Sequence, residues 1–384
     1  MLHSATSAAA ALHLASPAHA QQQGKQAAAE LELSTTWVAT DGFDAQKLIN
    51  FDQNSYKAML DDDKRTPLFK EAIRRRLEQD PGNLVVLDLG TGPFAVLALM
   101  AARAGAKKVY AIEANADAAD RAKSAIAAAK DVPTGLVEVI TGLSSDVTLP
   151  EKADVILAEI IGSIATEEGV VATVRDAQKR LAKNPFDPNT YIPFACRTYA
   201  APVTYAVHYS LGPPRFDWGK LKEPVRLNCR DETAQLLSDP QLLEEVRLSS
   251  EALSEGKWRA TPVVRYEISP SRINENMNKF SRELIQERVP QEEAASLAAS
   301  VAHSLSGVAF WPKLILDPQE ELVVDSRGPV GEHAKSHWQT VVALLSSRPV
   351  KVSESSSMLV HFDVTVGEAI DDPVRYTLNA KLVG

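Results

Sequence analysis

From Leu84 to Leu181, short apolar runs alternate with helical stretches of roughly 10–15 residues, and this constrains the fold more than any other feature of the chain. Leu84-Val85-Val86-Leu87 has the continuous β-branched character of a strand buried on both faces. A helix is predicted from about Pro93 to Ala104, with Gly105 at its end. Val109 to Ile112, Val137 to Thr141 and Val155 to Leu157 read as further strands, and Ala116 to Ala129 and Glu168 to Leu181 as helices. Repeated strand–helix–strand units imply a doubly wound parallel sheet, the Rossmann-like α/β class.

Upstream, Thr66-Pro67 reads as an N-cap with proline at the first helical position, followed by an apolar stripe through Leu77. After Asn184-Pro185-Phe186-Asp187-Pro188 the texture changes. Residues 197–207, 263–268, 308–316, 321–325, 338–345, 358–366 and 374–382 read as strands without regular helices between them, which implies an antiparallel sheet or barrel. Two segments interrupt it: residues 212–256, rich in charge, Pro and Gly, and the helical residues 272–305. Residues 1–29 hold eleven alanines and no acidic residue, so residues 1–33 read as a disordered tail. Ala18-His19-Ala20 has the form of a cleavage site, but no arginine or lysine precedes it.

Composition excludes several classes. A net charge of −9 opposes broad nucleic-acid binding and suits a cationic partner. Two cysteines, Cys196 and Cys229, leave no disulfide framework or structural zinc site, which fits a reducing compartment. No run reaches the ~18 uncharged apolar residues that span a bilayer.

The turn after the first strand is Asp88-Leu89-Gly90-Thr91-Gly92-Pro93-Phe94, with Glu113 ending the next strand 21 residues after Gly92. Glycines at 90 and 92 permit close backbone approach to a ligand, and a carboxylate at 113 suits ribose hydroxyls. Ala95 stands where a dinucleotide fingerprint requires a third glycine, so a nicotinamide-linked dehydrogenase is disfavoured. The D-x-G-x-G pattern resembles the turn of S-adenosylmethionine-dependent methyltransferases.

The strand ending at Leu157 runs into Ala158-Glu159-Ile160-Ile161-Gly162-Ser163-Ile164-Ala165-Thr166-Glu167-Glu168. Carboxylates at the C-terminal ends of parallel strands overlook the ligand crevice. Two of them around a Gly162 turn match a guanidinium, which is planar, always charged and able to bond bidentately. Read alone, Glu167 and Glu168 are acids favoured at a helix start.

This segment resembles the double-glutamate loop of the protein arginine N-methyltransferase family, E-x-x-G with a second glutamate nine residues after the first, which selects Glu159 and Glu168. The resemblance extends over about residues 34–384. Ser55 to Thr66 is similar to the family's N-terminal segment, implying that Arg65 and Tyr56 hold the cofactor and that Met59 meets the substrate arginine. Ser336-His337-Trp338-Gln339-Thr340 resembles the family's T-H-W loop, implying an ion pair of His337 with Asp62 and a wall from Trp338 against the substrate cation.

The resemblance implies S-adenosylmethionine bound by Tyr56, Arg65, Asp88, Gly90, Gly92 and Glu113, with Ser144 or Ser145 at its adenine edge, and no metal. It also implies catalytic Glu159, Glu168, His337 and Asp62. Residues 34–190 would form the cofactor-binding domain and 191–384 a β-barrel, with residues 212–256 as a dimerisation arm. The expected partners are arginine-rich proteins and a second copy in a homodimer, with no nucleic acid or membrane, and the expected address is cytoplasm or nucleus. Ser55 to Leu60 is closest to the monomethylating branch, whereas Gly307 to Phe310 and Gly162-Ser163 resemble the symmetric-dimethylating one. The alternatives are a methyltransferase-fold enzyme acting on a small molecule or another side chain, and a catalytically silent binding scaffold.

Overall fold

The computed structural model describes residues 30–39, 53–228, 231–254, 256–328, 336–369 and 372–384. Its first layer is a five-stranded sheet of β2 (Val85–Leu89), β3 (Lys108–Glu113), β4 (Val137–Thr141), β5 (Val155–Leu157) and β6 (Tyr191–Ile192), in the order β4-β3-β2-β5-β6. Every pairing is parallel, and β2 is buried at all five positions, as a strand covered on both faces must be. Helices Val96–Arg103, Ala116–Ala128 and Val170–Arg180 connect the strands, which is the expected Rossmann-like arrangement.

Two local expectations shift. The helix predicted from Pro93 starts at Val96, because Gly92 and Ala95 both take left-handed backbone (φ +64° and +46°) and hold the chain in a turn until then. Thr66 is the first residue of its helix rather than the cap; its hydroxyl donates to the Met59 carbonyl at 3.2 Å. Asp62 Oδ1 takes the amides of Lys64 and Arg65 at 3.2 and 3.0 Å and so fixes the turn that leads into the helix.

The second layer is antiparallel. One sheet joins β1 (Leu31–Val38), β11 (Trp258–Ala260), β12 (Val263–Glu267), β18 (Ser357–Val366) and β19 (Arg375–Val383). The other joins β7 (Ala195–Tyr205), β8 (Val225–Asn228), β9 (Ala234–Leu236), β10 (Gln241–Arg247), β14 (Gly307–Ile315), β15 (Val323–Asp325) and β16 (Gln339–Leu344). A third, two-stranded sheet pairs β13 (Ser304–Leu305) with β17 (Val350–Lys351). Among the described residues these pairings leave open sheets rather than a closed barrel.

Residues 31–33, assigned from sequence to a disordered tail, begin β1, which pairs along its whole length with β19; residues 1–29 lie outside the described residues. Residues 212–256, read from sequence as an insertion, are built into the antiparallel layer. They supply β8, β9 and β10 to the seven-stranded sheet, where hydrogen bonding to β16 and β7 outweighs their charged composition. The helical segment is a hairpin of Pro270–Gln286 and Gln291–Ala302. Phe280, Leu284, Ala298 and Val301 pack it into one apolar cluster with Tyr205 and Trp311 of the sheet.

Candidate active site

A cavity of about 660 Å³ opens over the C-terminal ends of the parallel strands, where ligands bind in open α/β sheets. The glycine turn forms one wall. Gly90 and Gly92 take φ values of +72° and +64°, and a Cβ on Gly90 would meet Ile160 Cγ2 at 3.1 Å, so this backbone runs close under the loop opposite. Glu113 is buried, and its two oxygens accept the amides of Gly92 and Asn115, each at 2.9 Å. Asp88 is also buried and accepts from the Thr91 hydroxyl at 2.6 Å and the Ala98 amide at 3.1 Å. Burial pushes its carboxyl up to about 6, despite those bonds. Asp88 therefore shapes the turn from beneath.

Helix Gln53–Leu60 and the turn after it close the cavity from above. Met59 and Arg65 line it, while the Tyr56 side chain lies outside the described residues. Arg65 donates from Nη2 to Glu159 Oε2, and its buried Nε has no hydrogen-bond partner. Asp62 accepts from His337, at 2.9 Å from Nδ1 and 3.1 Å from the backbone amide. Burial raises the Asp62 carboxyl, but the His337 and Arg65 bonds outweigh it and bring it down to about 2. The expected His337–Asp62 pair thus forms across 275 residues. The neighbouring Trp338 is buried, lines the cavity and donates from its indole to the Ile161 carbonyl at 2.7 Å.

Glu159 and Glu168 both line the cavity; Glu167 does not. Burial, and then the negative charges of Glu159 and Glu167, push the Glu168 carboxyl up to about 8. What exposure it keeps is toward the cavity. Glu167 turns away, over Gly162, and pairs with Arg226 of β8. The loop carrying these acids is held mainly from the second layer. Besides Trp338 on Ile161, the Gln339 amide donates to Ser163 Oγ at 3.1 Å. Thr198 Oγ1 accepts the Ala165 amide at 2.9 Å, and the Thr166 and Tyr376 hydroxyls meet at 3.0 Å.

Ser144 lines the cavity, whereas Ser145 bonds Asp146 at 3.1 Å and does not. Sequence reasoning missed Arg226, which lines the cavity without belonging to any motif, and Glu244, fully buried on β10 behind the loop beside Thr166. Burial holds the Glu244 carboxyl up at about 8. Among the described residues no cluster of metal-ligating side chains occurs, and no helix is long and apolar enough to cross a membrane.

Residues 68–179 match the family described as ribosomal protein L11 methyltransferase. Protein arginine N-methyltransferase PRMT10 of Oryza sativa subsp. japonica is 40% identical over 147 residues, 38% of this chain and 37% of that one. A probable protein arginine N-methyltransferase 6 of Arabidopsis thaliana is 33% identical over 158 residues, 40% of this chain and 34% of that one. The chain thus spans little over a third of the length of these curated relatives. Among solved structures, the Trypanosoma brucei PRMT1 enzyme–prozyme heterotetrameric complex with AdoHcy superposes with a TM-score of 0.55 and 17% identity, over 85% of this chain and 97% of that one. Fold and site together define a Rossmann-like α/β domain joined to an antiparallel β domain. Over residues 68–179 the chain is thus similar to a methyltransferase family, and over about 150 residues to protein arginine N-methyltransferases.

Proposed function

We propose that this chain transfers a methyl group from S-adenosylmethionine to a guanidino nitrogen of arginine in protein substrates. The observation that carries the reading is the pair Glu159 and Glu168 in one cavity, with Glu168 making no salt bridge among the described residues. Burying an unpaired carboxylate is unfavourable, and a cation entering the cavity relieves it.

The donor set fits the cofactor. The orphan Nε of buried Arg65 suits a carboxylate, Glu113 suits ribose hydroxyls, and the close approach at Gly90 leaves room for a ligand but not for a side chain. When bound, S-adenosylmethionine supplies a methyl group made electrophilic by its sulfonium. Glu159 and Glu168 grip the guanidinium, localise its charge and aim one nitrogen at that methyl. Trp338 forms the wall beside the cation. His337, held by Asp62, takes up the proton released as the nitrogen loses basicity. Positioning of the two reactants supplies most of the acceleration, on the order of 7–11 kcal/mol.

Arginine-rich proteins suit the net charge of −9. A homodimer is proposed on the family resemblance and is checked by light scattering. The deciding experiment incubates the protein with labelled S-adenosylmethionine and an arginine/glycine-rich peptide, then chromatographs the acid hydrolysate. Methylarginine is expected, and its isomer assigns the branch. Cofactor binding without methylarginine would sink the reading and favour a small-molecule enzyme or a silent scaffold.

A further inference from the structure

Two arginines line the cavity among the described residues, Arg65 and Arg226, and each is paired with a different glutamate. Arg226 reaches from β8, which pairs with β16 directly after the His337-Trp338 loop, and it grips Glu167 with both terminal nitrogens. Its charge is also felt at Glu168, the acid that faces the cavity. A guanidinium therefore stands beside the carboxylate proposed to receive the substrate's own guanidinium. Chemically the two are the same group.

The two ends of this pair differ in freedom. Glu167 is buried and wedged: a Cβ on Gly162 would lie 2.7 Å from Glu167 Cβ, and Oε2 is 3.4 Å from the Ile164 amide nitrogen, its donor. The Arg226 side chain keeps 33% of its exposure and is long and rotatable. Glu167 is the fixed end, and Arg226 is the end that swings when released. Released, it would be tethered within reach of Glu168 at an effective concentration on the order of millimolar, and would compete with any arginine arriving from solution.

We infer that Glu167 is a positioning residue whose work is to hold Arg226 off Glu168, so that the cavity stays open to an external guanidinium. The inference rests on the proposed arginine-methylating function. It also assigns different tasks to the adjacent glutamates: Glu168 binds the incoming cation, and Glu167 sequesters the resident one.

The test is kinetic, with the full-length protein, S-adenosylmethionine and an arginine/glycine-rich peptide. Glu167→Gln raises the peptide KM about tenfold, with kcat and the cofactor KM changed less than about threefold. Adding Arg226→Met removes the competitor and returns the peptide KM to within about threefold of wild type, a rescue that general loop damage would not give. An unchanged KM in Glu167→Gln, or a double variant no better than the single one, overturns the inference. If Glu167→Gln does not fold, calorimetric peptide binding compares the double variant with wild type. A loss beyond about tenfold there overturns it too, since neither charge remains to compete. A wild-type protein that makes no methylarginine fails at an earlier step: it removes the functional reading, and this inference with it.

Discussion

Glu168 offers the sharpest test of the site, because one substitution should change stability and function in opposite directions. The carboxyl is held at about 8 against an ordinary 4.5, chiefly by burial and then by the charges of Glu159 and Glu167. The folded protein therefore keeps a proton that the unfolded chain releases. The stability present below about 4.5 is lost progressively as pH rises, and the loss is complete once pH passes about 8. That interval corresponds to a ceiling of about 5 kcal/mol, which hydration of the open cavity reduces to roughly 2–3 kcal/mol.

Glu168→Gln removes the titration while keeping the shape. Thermal unfolding of the two proteins should coincide near pH 4 and diverge in favour of the variant by a few degrees at pH 9. Glu244, held at a similar value, titrates in both proteins and cancels in the difference. The stabilised variant should nonetheless lose methylation by orders of magnitude. A difference in melting temperature that does not vary with pH would refute the burial argument, and full activity in the variant would remove Glu168 from the clamp.

Glu159→Gln should bind S-adenosylmethionine normally by calorimetry yet lose turnover by orders of magnitude, because the missing charge matters for the substrate cation. Asp62→Asn weakens the bond to His337 and the turn bond to the Arg65 amide, and should lower kcat with a destabilisation of about 1–2 kcal/mol in chemical denaturation. The Asp62 carboxyl lies below its ordinary 3.8, at about 2, so its stabilisation is present above about 4 and is lost as pH falls through 2. Gly90→Ala should weaken cofactor binding and cost about 1–2 kcal/mol of stability, because φ is +72° and the new methyl would press on Ile160.

The parallel layer was legible because its signals are local. Val137–Thr141 and Val155–Leu157 begin and end where their apolar runs do, and the glycine turn lies between the strand and helix that the spacing predicts. The second layer was harder, since its pairings are distant in sequence. Leu31 faces Leu382, and no local pattern announces that an N-terminal segment is the edge strand beside the C-terminal one. Leu-Leu-Glu-Glu-Val-Arg of β10 looks like a solvated stretch, yet a register irregularity between Leu242 and Glu244 accompanies a glutamate that is wholly buried. Composition marked residues 212–256 as an insertion because charge and proline outweighed three short strands.

The candidate site divides along the same line. The residues that face the cavity, Glu159, Glu168, His337 and Trp338, sit in motifs that a sequence displays. Those that hold them in place do not. Thr198, Arg226, Gln339 and Tyr376 reach the acidic loop from strands up to some two hundred residues later, each bonded to a different loop residue. A loop with a glycine at its centre has many conformations of its own, and fixing each residue opposes folding by roughly 1–2 kcal/mol. Distributed contacts from the second layer offset that cost, so the antiparallel domain acts as a mould for the two carboxylates. The same arrangement explains why Glu167 and Glu168 are indistinguishable in sequence. Their difference is made by Arg226, a residue with no motif, placed beside one of them by the pairing of β8 with β16.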